Sequence, residues 1–521
     1  MRTARIRVWC GALAVILGLW PRVHACTNFL ITKGATADGS TMITYVADSH
    51  ELYGELYYIP AATHLEGSWL EVYEWDTGKY LGRIRQVPRT YAVVGNMNEH
   101  QVAIGETTWG GRQELRDPKG ILDYGSLMYI ALQRATTARE AIKVMTELVA
   151  EYGYCSSGES FSISDPCEVW IMDMIGKGPE NKGAVWVARR VPDGYITAHA
   201  NYPRIHRFPL EDKQNCLYAK DVISFAREKD YFTGKDEEFS FAEAYAPADF
   251  GALRFCEARV WSFYRRAAPS QQFCLAYVRG DVNAEPLPLW IKPDKKLSVR
   301  DVMELMRDHF EGTEFDLSVG VGAGPFALPY RWRPLTWEVD SIRYFNERAI
   351  STQQTGFSFI AQARSWLPNP IGGVLWFGVD DTYSTVYVPI YCEFSWESAF
   401  WVFNFVANFA YSRYCDMIQD IQKVQRELEG KFLAAQPEVD KAALALYQTS
   451  PRLAVDYLTA YSVGEADKTV ARWRKLGEFL IYKYLDGNVK DEHGRVTHPG
   501  YPQSWYRQIV RDSGNRYRVP K

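Results

Sequence analysis

Two β-rich runs joined by turn signals most constrain how this chain can fold. Thr27-Asn28-Phe29-Leu30-Ile31-Thr32 is rich in β-formers, and Thr41 to Val46 returns to that character. Between them, Lys33-Gly34 and Ala37-Asp38-Gly39-Ser40 are turn signals. The spacing predicts a hairpin whose second strand comes back beside residue 26. Further strands are predicted near 90–95, 101–106, 161–163, 169–174 and 184–188. Helical periodicity covers 125–131 and 138–152, and Thr136-Thr137-Ala138-Arg139-Glu140 resembles a helix start. Strands and helices without strict βαβ alternation predict layered α+β packing, not a doubly wound sheet.

Residues 280–400 are rich in Pro, Gly and aromatics, and 372–378 and 383–391 read as buried strands. Helix formers dominate 399–432 and again 439–484. Phe400 to Phe409 is very apolar but contains Asn404 and Asn408. It is shorter than the about 20 residues of a membrane span, so it reads as a core helix. The segment from Asp486 onward is polar and is expected to be irregular. We place a loose boundary near residue 395, which gives a leader at 1–25, a main domain at 26–395 and a mainly helical portion at 396–521.

The leader reading rests on Arg2, Arg5 and Arg7, an apolar run from Val8 to Trp20, and Val23-His24-Ala25 at a cleavage position. The run is too short for a retained anchor. Cleavage after Ala25 would place the product in the periplasm or outside the cell and make Cys26 the first residue. A Cys directly behind a leader is also where lipoproteins are lipidated, but Val23 and His24 fit that pattern poorly. A net charge of −4 gives no invitation to nucleic acid or to an anionic membrane. Aromatics make up 14% of the residues, enough to fill a core and still line a pocket or a contact between subunits. Apart from Cys10 and Cys26 the cysteines are scattered, without a C-x-x-C pair, so neither a zinc ribbon nor a dense disulfide scaffold is expected. An exported chain still has room for a bridge among them.

A cysteine at a chain start carries its own base. The α-amine, with a reference pKa of about 7.7–8.0, and the thiol, at about 8.5, both lie near neutrality. The amine can take the thiol proton while sulfur attacks an amide carbonyl, giving a thioester that water hydrolyses. Three supports are needed: a carboxylate to hold the amine, donors for the oxyanion, and a cation to favour thiolate. Asp48, on the returning strand, is the natural carboxylate; its alternative reading is a turn residue in Ala47-Asp48-Ser49.

Cys26-Thr27-Asn28, Gly34-Ala35-Thr36-Ala37-Asp38-Gly39-Ser40-Thr41-Met42 and Asp48-Ser49 resemble the start of the dipeptidase A family of cysteine peptidases. These are N-terminal-nucleophile hydrolases, similar in fold to penicillin V acylases and bile-salt hydrolases. The resemblance continues through 95–103, Ser160, 168–170, 192–194, 200–205, 257–261, 307–313 and 352–355. It implies a four-layer αββα sandwich, hydrolysis of short peptides, and no cofactor or metal. It also implies roles: Cys26 as nucleophile, Asp48 holding the amine, Asn201 donating near the oxyanion, and Arg259 favouring thiolate. A second oxyanion donor would come from the Asn98 region or from Thr107. Many relatives carry Arg where this chain has Tyr45, a neutral donor. Two rivals remain: an acylase of bile-salt or penicillin V amides, and a non-catalytic peptide-binding lipoprotein.

Other residues have plain readings. Val319 to Pro325 lacks a following Lys-Ser/Thr and reads as a tight loop. His199 and His206, separated by Pro203, read as two ordinary histidines. Asp380-Asp381 reads as a turn between strands. Glu106 and Glu159 are candidates to recognise a substrate amine, against the alternative of ordinary hydrogen-bonded or exposed carboxylates.

Overall fold

The computed structural model describes residues 26–49, 54–331, 335–391, 399–484, 487–514 and 518. The leader at 1–25, Cys392 and the boundary near 395 lie outside the described residues. The chain begins with β1 (Asn28–Ile31) and β2 (Thr41–Asp48). The short β3 (Tyr58–Ile59), β4 (Val93–Val94) and β5 (Met97–Asn98) lead to β6 (Ala103–Trp109). Helices α1 (Tyr124–Arg134) and α2 (Ala138–Tyr152) come next. They are followed by β7 (Gly158–Ser164), β8 (Val169–Gly176), β9 (Ala184–Arg190), β10 (Ile196–His199) and β11 (Cys216–Tyr218). Helices α3 (Ala258–Ala267) and α4 (Val299–Met306) precede β12 (Thr355–Ala363), β13 (Gly373–Val379) and β14 (Val388–Ile390). The last helices are α5 (Phe400–Ala410), α6 (Tyr414–Thr449), α7 (Pro451–Lys483) and α8 (Gln503–Ser513).

Two antiparallel sheets face each other. One has the order β10-β1-β2-β12-β13-β14 and the other β11-β9-β8-β7-β6-β5-β4-β3. Strands β1 and β2 lie against β6, β7 and β8. Helices α1 and α2 cover the outer face of the larger sheet, and α3 and α4 contact the smaller one. The architecture is therefore α+β, with helices packed against both sheets. Strand β8 shows why: Val169, Ile171 and Ile175 belong to the core between the sheets, whereas Trp170, Met172 and Met174 belong to the core under α1 and α2. Both faces of the strand are buried, so the period-2 alternation of side chains feeds two cores.

The predicted hairpin forms, with Leu30 opposite Ile43 and main-chain bonds in both directions between Thr27 and Val46. The Ala-Thr-Ala-Asp-Gly-Ser stretch is turn chemistry. Thr36 Oγ1 donates to the Ser40 carbonyl at 2.7 Å, and Asp38 accepts from the Ser40 N–H at 3.0 Å and from Gln362 Nε2 at 2.7 Å. Gly39 sits at φ 81°, where a side chain is disfavoured. Thr137 caps α2, accepting from the Glu140 N–H at 3.2 Å, while the Thr136 hydroxyl donates to the Glu140 carboxylate.

Three expectations change. The break in the C-terminal helices falls at Ser450, and Pro437 lies inside α6. Packing of α6 along α7 outweighs the one main-chain bond that proline removes. Strand β14 covers only three residues, because Asp381 accepts from the Tyr383 and Ser384 N–H groups and ties 381–384 into a turn. The C-terminal segment expected to be irregular holds α8, which starts behind Pro502 and ends at Gly514 with φ 58°. Helix α5 buries Phe403, Val406 and Ala407 but exposes Trp401 and Phe405. Phe403 stacks on Trp473 of α7, and both belong to the core between the sheets, so the C-terminal helices share that core. Among the described residues no helix is long and apolar enough to cross a membrane.

Candidate active site

Cys26 lies two residues before the first residue of β1 and is only 3% exposed. Its Sγ lies 4.0 Å from the Tyr45 hydroxyl and 3.9 Å from Glu106 Oε1, and the main-chain N–H of Asp48 hydrogen-bonds to it. The larger sheet must therefore approach β2 closely. Gly105 allows this: a Cβ there would lie 2.8 Å from the Asn28 side-chain amide and 3.2 Å from Tyr45 Cβ. Asn28 clamps the approach. In the amide orientation that satisfies both groups, its oxygen accepts from the Glu106 N–H at 3.0 Å and its nitrogen donates to the Glu106 carbonyl at 3.2 Å.

Asp48 is fully buried at the end of β2. Register pairs it with Thr355 of β12, whose hydroxyl donates to Oδ1 at 2.6 Å. Arg348 Nη2 donates to Oδ2 at 2.5 Å. Burial pushes the Asp48 carboxyl above its ordinary value even though Arg348 and Thr355 oppose the shift. The β12 register shifts between Thr355 and Phe357, an irregularity of the kind that re-aims side chains beside active sites.

Arg259 and Asn201 close the other side. Arg259 sits where a six-residue π-helical stretch, Ala252–Glu257, runs into α3. Its Nη1 donates to the Cys26 carbonyl at 2.6 Å and to Thr27 Oγ1 at 2.8 Å. Its Nη2 donates to the Ala200 carbonyl at 3.1 Å and to Asn201 Oδ1 at 3.0 Å. Asn201 adopts φ 63°, and its Nδ2 donates to the Thr108 carbonyl at 2.5 Å. Burial, reinforced by Arg348, lowers the Arg259 guanidinium to about 10, which leaves it charged at neutral pH.

Arg259 does attract a thiolate at Cys26, as expected, but burial and acidic neighbours oppose it. Arg259 holds the main chain of Cys26, and the groups nearest the sulfur are acidic. Burial, then Glu106 and Asp48, raise the Cys26 thiol well above its ordinary value, so it rests protonated. Tyr45 donates its hydroxyl to Glu106 and is itself raised by burial and by its anionic neighbours. Glu106 faces Glu159 of β7, and burial chiefly raises Glu106 to about 7 and Glu159 well beyond the carboxylate range.

The remaining candidates lie elsewhere or serve the scaffold. The Asn98 amide donates to the Leu132 and Ala135 carbonyls, both at 2.7 Å, tying its loop to the end of α1. Thr107 Oγ1 and Ser162 Oγ contact the two ring nitrogens of His199 at 2.8 and 2.7 Å, and burial holds that imidazole near about 3, hence neutral. His206 lies beside Glu243 and Ser240. Val321–Ala323 forms a short 3-10 turn in the glycine-rich loop.

The profile of peptidase family C69 matches residues 56–427. The chain belongs to peptidase family C69. The matched span starts beyond Cys26 and Asp48 but contains Glu106, Asn201, Arg259, Arg348 and Thr355. The C69 peptidase is 25% identical over 458 residues to a probable dipeptidase of Latilactobacillus sakei, covering 81% of this chain and 88% of that one. It is 25% identical over 401 residues to a probable dipeptidase of Salmonella dublin, covering 73% and 84%. It is 22% identical over 507 residues to probable dipeptidase B of Streptococcus pyogenes serotype M1, covering 91% and 97%.

Sequence reasoning did not find Arg348 in this C69 peptidase. It lies 300 residues from Asp48, and no spacing marks it. Nor did it find Gly105 or Asn28 as the pair that brings the sheets together; a glycine inside a strand run was the available signal. A cavity of about 610 Å³ opens against Arg348 and Thr355, the two groups that hold Asp48, and is also lined by Ser49, Asp380, Asn404 and Tyr411.

Proposed function

We propose that this peptidase is an exported dipeptidase of the N-terminal-nucleophile type, activated when cleavage after Ala25 frees the amine of Cys26. Dipeptidase activity is supported by membership of family C69 and by relatives named as probable dipeptidases across most of both chains. The observation that carries the mechanism is the convergence on Cys26. Arg259 holds its carbonyl at 2.6 Å, the Asp48 N–H donates to its sulfur, and Asn201 is locked between Arg259 and Thr108. Two facing sheets with helices outside both are also what an N-terminal-nucleophile sandwich requires.

The chemistry follows from a thiol that rests protonated. The free amine takes the thiol proton as sulfur attacks the peptide carbonyl, so no standing thiolate is needed beside Glu106. Asp48, fixed by Arg348 and Thr355, orients the amine. The Asn201 amide stabilises the oxyanion. The C–N bond breaks as the leaving amine takes the proton from the Cys26 ammonium. Water, deprotonated by the same amine, then attacks the thioester, and the proton returns to sulfur as the acid departs.

The test is the mass of the mature N-terminus together with Cys26→Ala in correctly processed protein. An unmodified Cys26 and loss of dipeptide hydrolysis are expected. A diacylglyceryl Cys26, or hydrolysis persisting at the wild-type rate, overturns the proposal, and cleavage of acyl conjugates without cleavage of dipeptides would make the protein an acylase.

A further inference from the structure

Glu106 and Glu159 lie on neighbouring antiparallel strands in a register that sets Glu106 opposite Phe161 and Thr108 opposite Glu159. The two carboxyls are thus diagonal neighbours on one face of the sheet. Both are essentially inaccessible, at 1% and 0% exposure. Among the described residues neither forms an ion pair with a lysine or arginine. Glu106 has Tyr45 as a neutral donor and Thr108 Oγ1 at 3.4 Å. Among the described residues Glu159 has only neutral or acidic partners, the Thr108 hydroxyl and Glu106 itself. Two buried carboxyls with only neutral partners are costly, and they persist together only by sharing a proton or meeting a cation.

The nearest reacting atom to the pair is the nucleophile's sulfur. Glu106 Oε1 is 3.9 Å from Cys26 Sγ. In a peptide substrate the α-nitrogen is one Cα from the first carbonyl carbon, a separation of about 2.5 Å. That carbon must come within about 3–3.5 Å of the sulfur before attack. These separations allow a dipeptide oriented with its amino end toward β6 to bring its α-ammonium within hydrogen-bonding reach of Glu106, at about 2.8 Å. Resting on the proposed dipeptidase reading with Cys26 as nucleophile, we infer that the Glu106–Glu159 pair is the subsite for the α-ammonium group of the substrate. Glu106 contacts the ammonium, and Glu159 lies behind it and shares the pair's proton. One proton and one negative charge on the pair match one ammonium. The subsite restricts the enzyme to substrates with a free amino terminus and places the scissile bond after the first residue.

The experiment compares Ala-Ala, N-acetyl-Ala-Ala and propionyl-Ala with the processed wild-type enzyme, then repeats the series with Glu106→Gln. In the wild type, kcat/KM is expected to fall by at least about 100-fold when the amine is acetylated or removed, because the pair is then left buried without its cation. In Glu106→Gln, Ala-Ala is expected to lose about 10- to 100-fold, mainly through KM, while the blocked substrates gain relative to it. A merely structural role would lower all three substrates together. Wild-type enzyme that hydrolyses the blocked substrates as well as Ala-Ala overturns the inference and leaves the dipeptidase reading standing. Hydrolysis of Ala-Ala that survives Cys26→Ala removes the nucleophile on which both rest. The wild-type arm decides the matter even if Glu106→Gln fails to fold.

Discussion

Arg348→Met tests whether the carboxylate beside the nucleophile depends on its distant cation. Asp48 is fully buried, and its two partners are Arg348 at 2.5 Å and Thr355 at 2.6 Å. Removing one partner of a buried pair costs about 3–5 kcal/mol, because the other charge stays desolvated. The Thr355 bond remains and retains about 1 kcal/mol. The loss depends on pH with a definite sign. The folded Asp48 carboxyl is already raised by burial, and Arg348 is the largest influence opposing that rise. Without Arg348 it rises further, and each added pKa unit costs about 1.4 kcal/mol where the unfolded group is ionised. A raised carboxyl contributes fully below the unfolded value of about 3.9 and loses that contribution as pH increases through the folded value. The variant is therefore closest to wild type near pH 4 and falls furthest behind near pH 7. Urea unfolding at the two pH values measures the difference. Asp48→Asn combined with Arg348→Met should be more stable at pH 7 than the sum of the single changes predicts, since no charge is left to strand. An equal loss at both pH values, or strict additivity in the double variant, would refute the reasoning.

Gly105→Ala drives a methyl group to 2.8 Å from the Asn28 amide and 3.2 Å from Tyr45 Cβ; it should cost about 1–3 kcal/mol by thermal or urea unfolding, and unchanged stability would mean the sheets can separate freely. Glu106→Gln removes the nearest carboxylate raising the Cys26 thiol, so alkylation by iodoacetamide at pH 8 should speed up relative to wild type, and a slower reaction would contradict the assigned field. Wild-type stability should decline as pH rises from the unfolded glutamate value of about 4.3 through about 7 for Glu106 and beyond for Glu159. Both folded values are raised, so the contribution is present below that window and lost across it. Asp76, Tyr124 and Tyr154 also face the pair, and Cys26 and Tyr45 border it. Glu159→Gln should flatten the decline in pH-dependent urea unfolding, and an unchanged slope would show that other groups set it.

Local patterns settled much before any contact was known. The β-formers at 27–32 and 41–46, with the turn signals between them, dictate the hairpin that returns Asp48 to Cys26, because strand register and turn chemistry act over a few residues. The cap at Thr137 fixes the start of α2 for the same reason. Where tertiary packing competed with local preference the reading failed, as at Pro437, which α6 carries through because it lies along α7.

The charges around the nucleophile belong to the second category. Cys26, Asp48, Asn201 and Arg259 are recognisable as a set from the order of motifs along the chain, and the fold brings all four together. Which of them touches which is not written in that order. Arg259 grips the carbonyl of Cys26 and leaves the sulfur to Tyr45 and Glu106, while Asp48 takes its cation from Arg348, 300 residues away. The sequence by itself determined the nucleophile candidate, the hairpin that presents it and the α+β layering. The tertiary structure decided the field around the thiol, because electrostatic energy depends on separation through space and on burial, and both are set only when the two sheets close over Gly105.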